Sequence, residues 1–193
     1  PVLGAHVNVV GMAVVLEAAA KAGLRHPLAY ASSIAVYGAA DAGRQGDGDL
    51  GGHAATLYGM YKRANEGAAA VYWADRGVAS IGLRPYIVYG PGRDFGLTSA
   101  PTAAMGAAAR GEGFHISFGG TSRMQYVEDV ARMFVNATRS DFRGAAVLNL
   151  GGDQCHMTEV VAAIVSVVPE VAGRITFDDR QLPFPASIES ELA

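Results

Sequence analysis

Tyr58 and Lys62, four positions apart in Tyr58-Gly59-Met60-Tyr61-Lys62, are the residues of this sequence best placed for chemistry. On a helix, positions i and i+4 share a face, so the phenol and the ammonium project into one space. Tyrosine ionises at about 10 when unperturbed. A fixed cation beside it favours the phenolate and draws that value toward neutrality. A tyrosine tuned in this way serves as general acid or base toward a carbonyl or carbinol oxygen. The chain holds only two lysines, Lys21 and Lys62. By itself the spacing is weak, because a surface lysine beside a core aromatic produces it as well.

Two further segments give the pair a context. Upstream lies Tyr30-Ala31-Ser32-Ser33-Ile34-Ala35-Val36-Tyr37-Gly38, an apolar strand that ends in hydroxyls and a glycine turn. Ligands of open parallel sheets bind at the carboxyl ends of strands. Ser33 at such an end can hold a substrate oxygen next to the tyrosine, although a plain strand-end turn former reads the same way. Downstream, Leu83-Arg84-Pro85-Tyr86-Ile87-Val88-Tyr89-Gly90-Pro91-Gly92 is a second strand running into a rigid loop.

These segments must be positioned by regular elements. Helices are expected over His6 to Ala22, ended by Gly23, and over Thr56 to Arg76, ended by Gly77. Others follow from about Ala100 to Arg110, from Tyr126 to Arg139, and from a Thr158 cap to Val168. Strands are expected at Pro27 to Ser32, Val78 to Leu83, around His115 to Phe118, Ala145 to Leu150 and Arg174 to Phe177, with Gly38 to Gly52 and Pro85 to Gly96 as loops. Strands separated by helices of this length imply a parallel sheet with crossover helices, hence an α/β fold. The end of the sequence, Ile188 to Ala193, reads as the start of another helix.

The totals exclude several classes. The 193 residues are 50% apolar and 17% charged, with net charge -3, a globular balance with no basic block. Nucleic acid and anionic membrane surfaces are therefore poor partners. The apolar stretch from Val7 to Ala22 is interrupted by Asn8, Glu17 and Lys21 and is too short to span a bilayer. The single cysteine, Cys155, allows no internal disulfide, which fits a reducing cytoplasm. His6, His26, His53, His115 and His156 show no metal-ligand spacing, and Asp41, Asp47 and Asp49 form no calcium loop, so no metal site is expected. His53 precedes Tyr58 and reads as a solvated loop residue, while Cys155 reads as inert.

With these segments in order, the sequence resembles the extended short-chain dehydrogenases/reductases, the NAD-dependent nucleotide-sugar epimerases, dehydratases and their relatives. The likeness is carried along essentially the whole chain by Asn8-Val9-Val10-Gly11 with Leu16-Glu17-Ala18-Ala19, by Ser32-Ser33-x-x-Val36-Tyr37-Gly38, and by Tyr58-x-x-x-Lys62 with Glu66 one turn on. Leu83-Arg84-Pro85, Val88-Tyr89-Gly90-Pro91, Tyr126-Val127-Glu128-Asp129-Val130 and Leu148-Asn149-Leu150-Gly151-Gly152 complete it. The resemblance implies the C-terminal part of a Rossmann-like doubly wound parallel sheet with a small α/β substrate-binding portion. Residues 1–90 would hold the cofactor-binding portion with Ser33, Tyr58 and Lys62, and 91–193 the substrate portion, with sheet elements returning at about 126–168. Tyr58 would be the acid/base, Lys62 would bind the nicotinamide ribose and tune Tyr58, and Ser33 would hydrogen-bond the reacting oxygen. Asn8, Pro85 and Tyr86 would line the cofactor pocket, NAD or NADP with NAD favoured. A helix-surface amide for Asn8 and core packing for Tyr86 remain open. A homodimer is also implied, through a helical face drawn from Val10, Val14 and Ala18 with Ala64, Ala68 and Tyr72, residues that burial within one subunit explains equally well.

Departures from the family narrow the chemistry. Ile34 and Ala35 stand where 4,6-dehydratases carry an acidic pair, so dehydratases are excluded, and the related decarboxylases with them. Met12 replaces a common threonine. Ile87 replaces a frequent asparagine, and Ser122 an arginine that grips the diphosphate, with Arg123 adjacent as a substitute. Arg93, following the Gly-Pro-Gly loop, is a further candidate for substrate contact. No GxxGxxG turn is found, and Gly90-Pro91-Gly92 does not supply one, so the chain is expected to be a fragment, unstable alone and poor at binding dinucleotide. The reading is an NAD(P)-dependent epimerase or dehydrogenase acting on a secondary hydroxyl of a sugar or sugar-nucleotide. Its rivals are a carbonyl reductase or dehydrogenase for substrates without a nucleotide, and a non-catalytic dinucleotide sensor.

Overall fold

A computed structural model describes residues 1–39 and 52–186. Asp41, Asp47, Asp49 and the expected helix start at Ile188 to Ala193 lie outside the described residues. The chain divides into two units. The first comprises Pro1–Pro85, Ala131–Gly151 and the segment from Pro183; the second comprises Tyr86–Val130 and Gly152–Leu182.

In the first unit, helix α1 (Val2–Ala22) contains a widened π turn at His6–Val10. It begins four residues before the expected start at His6. Contrary to the expected length, its 21 residues are long and apolar enough to span a bilayer, a criterion that a core helix also meets. Gly23, at φ 60, closes the helix in the left-handed conformation. Met12, Leu16 and Ala19 recur at helical spacing and form the core with Tyr30, Ala69 and Val78. Of the face named for dimerisation, Ala68 and Tyr72 pack against this core, whereas Val10 and Val14 are exposed.

Strand β1 (Leu28–Ala31) leads to a short 3-10 turn, Ile34–Val36. Helix α2 (Leu57–Arg76) follows, its first turn capped by the Thr56 hydroxyl, which accepts from Gly59 N at 3.0 Å. Strand β2 (Ser80–Arg84) is buried along its whole length, as expected for the middle of a parallel sheet. It pairs in parallel with β1 on one side (Tyr30 opposite Gly82) and with β6 (Ala145–Asn149) on the other (Arg84 opposite Asn149). A Cβ on Gly82 would lie 2.6 Å from Tyr30 Cζ, so the missing side chain makes room for the tyrosine ring.

The second unit departs further from the sequence reading. Pro85 to Gly96 is not all loop, because Ile87–Tyr89 forms strand β3. Helix α3 (Ala100–Ala109) and strand β4 (Phe114–Ile116) follow. The strand β5 (Thr121–Tyr126) was not expected; it precedes helix α4 (Val127–Arg139) directly. Strand β7 (Asp153–His156) was missed as well. Strands β3 and β5 are parallel, but β5 and β7 are antiparallel, so this sheet is mixed. Helix α5 (Met157–Val167) is capped by His156 rather than Thr158: Thr158 N donates to the imidazole at 3.2 Å, and His156 N donates to Glu159 at 2.6 Å. Strand β8 (Ile175–Phe177) pairs in parallel with β4.

Candidate active site

Ser33 leaves β1 in an extended conformation, and its hydroxyl oxygen accepts from Ala35 N at 3.2 Å. It thus caps the Ile34–Val36 turn, and among the described residues this bond leaves its hydroxyl proton to be donated elsewhere. The turn is stitched to the end of β2: Ser32 N donates to Leu83 O at 2.8 Å, and Ile34 N to Pro85 O at 3.1 Å. Pro85 therefore belongs to the wall that holds the serine turn.

Helix α2 meets this turn at Gly59, beside Tyr58. A Cβ on Gly59 would fall 1.9 Å from Ala35 O and 2.8 Å from Ala35 C. Only glycine permits the helix to approach so closely, and the approach sets the distance between the Tyr58 turn and Ser33. The Tyr58 side chain is 47% exposed, as access to substrate requires. Lys62 Nζ lies 5.4 Å from the centre of the Tyr58 ring and donates to Ala31 O at 2.9 Å, at the carboxyl end of β1. Burial lowers the pKa of the Lys62 ammonium.

Beneath these groups lies an ion pair that sequence reasoning missed. Glu66, one turn beyond Lys62, receives Arg84 Nε and Nη2 at 2.8 Å each, with both side chains fully buried. Ser32 donates to the same carboxylate. Arg84 Nη1 donates to Tyr37 Oη at 2.5 Å. Burial lowers the Arg84 pKa, but the bonds and charge of Glu66 outweigh it and the net shift is upward. The network thus joins helix α2, the residue before Ser33, the turn after it and the end of β2. Both motifs were recognised, but nothing local in the sequence pairs residues this far apart.

Asn8 is half-buried in the π turn, and its amide donates to Gly4 O at 3.0 Å in its own helix. In the orientation that satisfies its amide, buried Asn65 donates to Asn8 O and Tyr61 O, 3.2 Å each. The widened turn offers a carbonyl that α2 takes up.

The other named residues belong to the second unit. Tyr86 is buried, its backbone N donates to Gln125 Oε1 at 2.8 Å, and the Arg123 guanidinium stands 6.0 Å from its ring centre. Arg123 Nη1 donates to Gly152 O at 3.0 Å. Ile87 is fully buried. The Ser122 hydroxyl is buried without a hydrogen-bond partner among the described residues. Arg93 folds onto its own loop, donating to Phe95 O and, at 3.0 Å, to Thr98 Oγ1.

A parallel sheet with crossover helices, a hydroxyl at a strand end and a Tyr-x-x-x-Lys helix docked on it define the Rossmann-like fold of the short-chain dehydrogenases/reductases. The family model for the NAD dependent epimerase/dehydratase family matches residues 1–151, and the chain belongs to that family. No curated protein matches the sequence significantly. Among solved structures, a partial consensus L-threonine 3-dehydrogenase superposes with TM-score 0.83 at 25% identity, over 95% of this chain and 62% of its own. The Thermus thermophilus UDP-glucose 4-epimerase, solved with NAD, gives 0.72 at 25% identity, over 98% and 61%. MoeE5, solved with UDP-glucose and NAD, gives 0.74 at 28% identity, over 96% and 62%. The chain therefore spans a little over three-fifths of the length of these neighbours.

Proposed function

We propose that this chain carries the catalytic centre of an NAD-dependent epimerase or dehydrogenase acting on a secondary hydroxyl of a sugar-like substrate. The docking of the Tyr58 turn on the Ser33 turn at Gly59 carries the proposal. The residues fit a nicotinamide dinucleotide: Lys62 commits one N–H to Ala31 O and, as an ammonium, keeps two more donors for ribose hydroxyls. When bound, the cofactor supplies a hydride acceptor at its nicotinamide ring. Ser33 donates its hydroxyl proton to the substrate oxygen and holds it beside Tyr58. Tyr58 takes the proton of that oxygen as the alcohol becomes a carbonyl, and returns it in the reverse direction. The Lys62 charge lowers the cost of the phenolate that takes this proton. Were the cofactor to leave reduced, the net result would be dehydrogenation; were the carbonyl kept and reduced again on its other face, the net result would be epimerisation. A homodimer through the exposed Val10 and Val14 side of α1 belongs to the same proposal.

Ile87 and Ser122 favour a second reading, a dehydrogenase for a substrate without a nucleotide. One is fully buried and neither carries charge for a diphosphate. The L-threonine 3-dehydrogenase neighbour is consistent with such a substrate. The test is incubation with NAD and either UDP-glucose or L-threonine, following NADH absorbance and sugar interconversion by chromatography. Tyr58→Phe should lower the rate by about 10²-fold or more. Undiminished activity in Tyr58→Phe would remove both readings.

A further inference from the structure

In the second unit, the register of the β3–β5–β7 sheet decides which side chains share a face. Ile87 is paired with Met124, and Met124 with Asp153. Residues two apart on a strand point the same way, so Tyr89, Met124, Asp153 and Cys155 lie on one side. Helices α3 and α5 cover that side. Six of the ten residues of α3 are alanine. Such small side chains leave space that larger ones would fill, and a cavity of about 510 Å³ opens between the two helices and the sheet. Small-molecule sites span roughly 300–1,000 Å³.

The walls are mostly apolar and include Met105, Met124, Val160 and Ile164. Two methionines make such a wall adaptable to different shapes. Asp153 and Glu159 also line the cavity, beside Cys155, and among the described residues no lysine, arginine or histidine does. One Glu159 oxygen accepts from His156 N, whereas Asp153 is exposed. The electrostatic effect reaches the thiol: burial, then the Glu159 and Asp153 charges, push the Cys155 pKa up.

We propose that this cavity binds a small molecule with an apolar body and a cationic amine, the body against the methionine and aliphatic wall and the amine at Asp153 and Glu159. Anionic groups, including a nucleotide diphosphate, meet like charge there. The proposal stands apart from the hydride-transfer reading and is tested without cofactor.

Cys155 is the single cysteine of the sequence and serves as the reporter. Methylthiolation by uncharged methyl methanethiosulfonate, which spares amines, at about pH 8.5, near the ordinary thiol pKa, is followed by mass on the Cys155 peptide. Three probes of equal chain length are compared: octylamine, octanol and octanoate. Octylamine should protect Cys155 at the lowest concentration, octanol at about fivefold higher, the worth of one partly exposed ion pair, and octanoate least. Asp153→Asn, an exposed substitution expected to leave the circular dichroism and melt unchanged, should bring octylamine and octanol together. Equal protection by all three probes, better protection by octanoate, or no protection by any overturns the proposal. So does an octylamine preference that survives in both Asp153→Asn and Glu159→Gln.

Discussion

Gly59→Ala tests whether the close approach of α2 to the serine turn sets the catalytic geometry. The new Cβ would stand 1.9 Å from Ala35 O and 3.1 Å from Ala54 Cβ. Since the nearest obstacle is backbone, helix or turn must give by about 1 Å, and overpacking of this kind costs roughly 1–3 kcal/mol. Replacing glycine within a helix returns about 1 kcal/mol, so the net loss of stability should be only about 0–2 kcal/mol. Catalysis should suffer far more, because a misplacement of about 1 Å can cost on the order of 10²-fold in rate. Gly67→Ala in the same helix is the control: its Cβ would meet nothing within 4 Å, so it should keep full activity and gain up to about 1 kcal/mol. Urea unfolding and NADH formation on the substrate that the activity panel selects would measure both quantities. A Gly59→Ala protein with wild-type kcat would refute the argument that this contact holds Tyr58 in place for Ser33.

Other substitutions test the surroundings. Glu66→Gln should cost about 3–5 kcal/mol by stranding the buried Arg84 charge, and the double change with Arg84→Met should cost less than the sum of the single changes, as a urea double-mutant cycle would show. Burial lowers the Lys62 pKa, so between that lowered value and the unfolded value near 10.4 the unfolded chain binds the extra proton. Stability should therefore rise with pH across that window, and the rise should be missing from Lys62→Met when the two proteins are compared by melting. The Tyr30 hydroxyl is buried without a partner among the described residues, and burial, with the Glu66 charge adding and Arg84 opposing, raises its pKa above the ordinary value. Its contribution to stability is complete below about pH 10 and is lost as pH rises further. Tyr30→Phe should flatten that alkaline loss, with little cost at neutral pH.

What the sequence determined by itself is local. The Tyr58–Lys62 spacing, the helix ends at Gly23 and Gly77 and the strands β1, β2 and β6 all follow from periodicity and backbone preference between near neighbours, and the order of the motifs carried the family. Strands β3, β5 and β7 escaped notice for physical reasons: β3 and β7 are only three and four residues long, and Thr121-Ser122-Arg123-Met124-Gln125-Tyr126 lacks a continuous apolar run, so its strand character arises from pairing. The helix cap at His156 was likewise masked by a threonine two positions on. Tertiary structure alone decided the rest. Glu66 meets Arg84, Gly59 meets Ala35, and Pro85 takes the amide of Ile34, each by a contact between elements whose approach depends on how two surfaces fit. Tyr58 and Lys62 were legible because one helical turn joins them, whereas the groups that hold them against Ser33 meet only after the chain has folded.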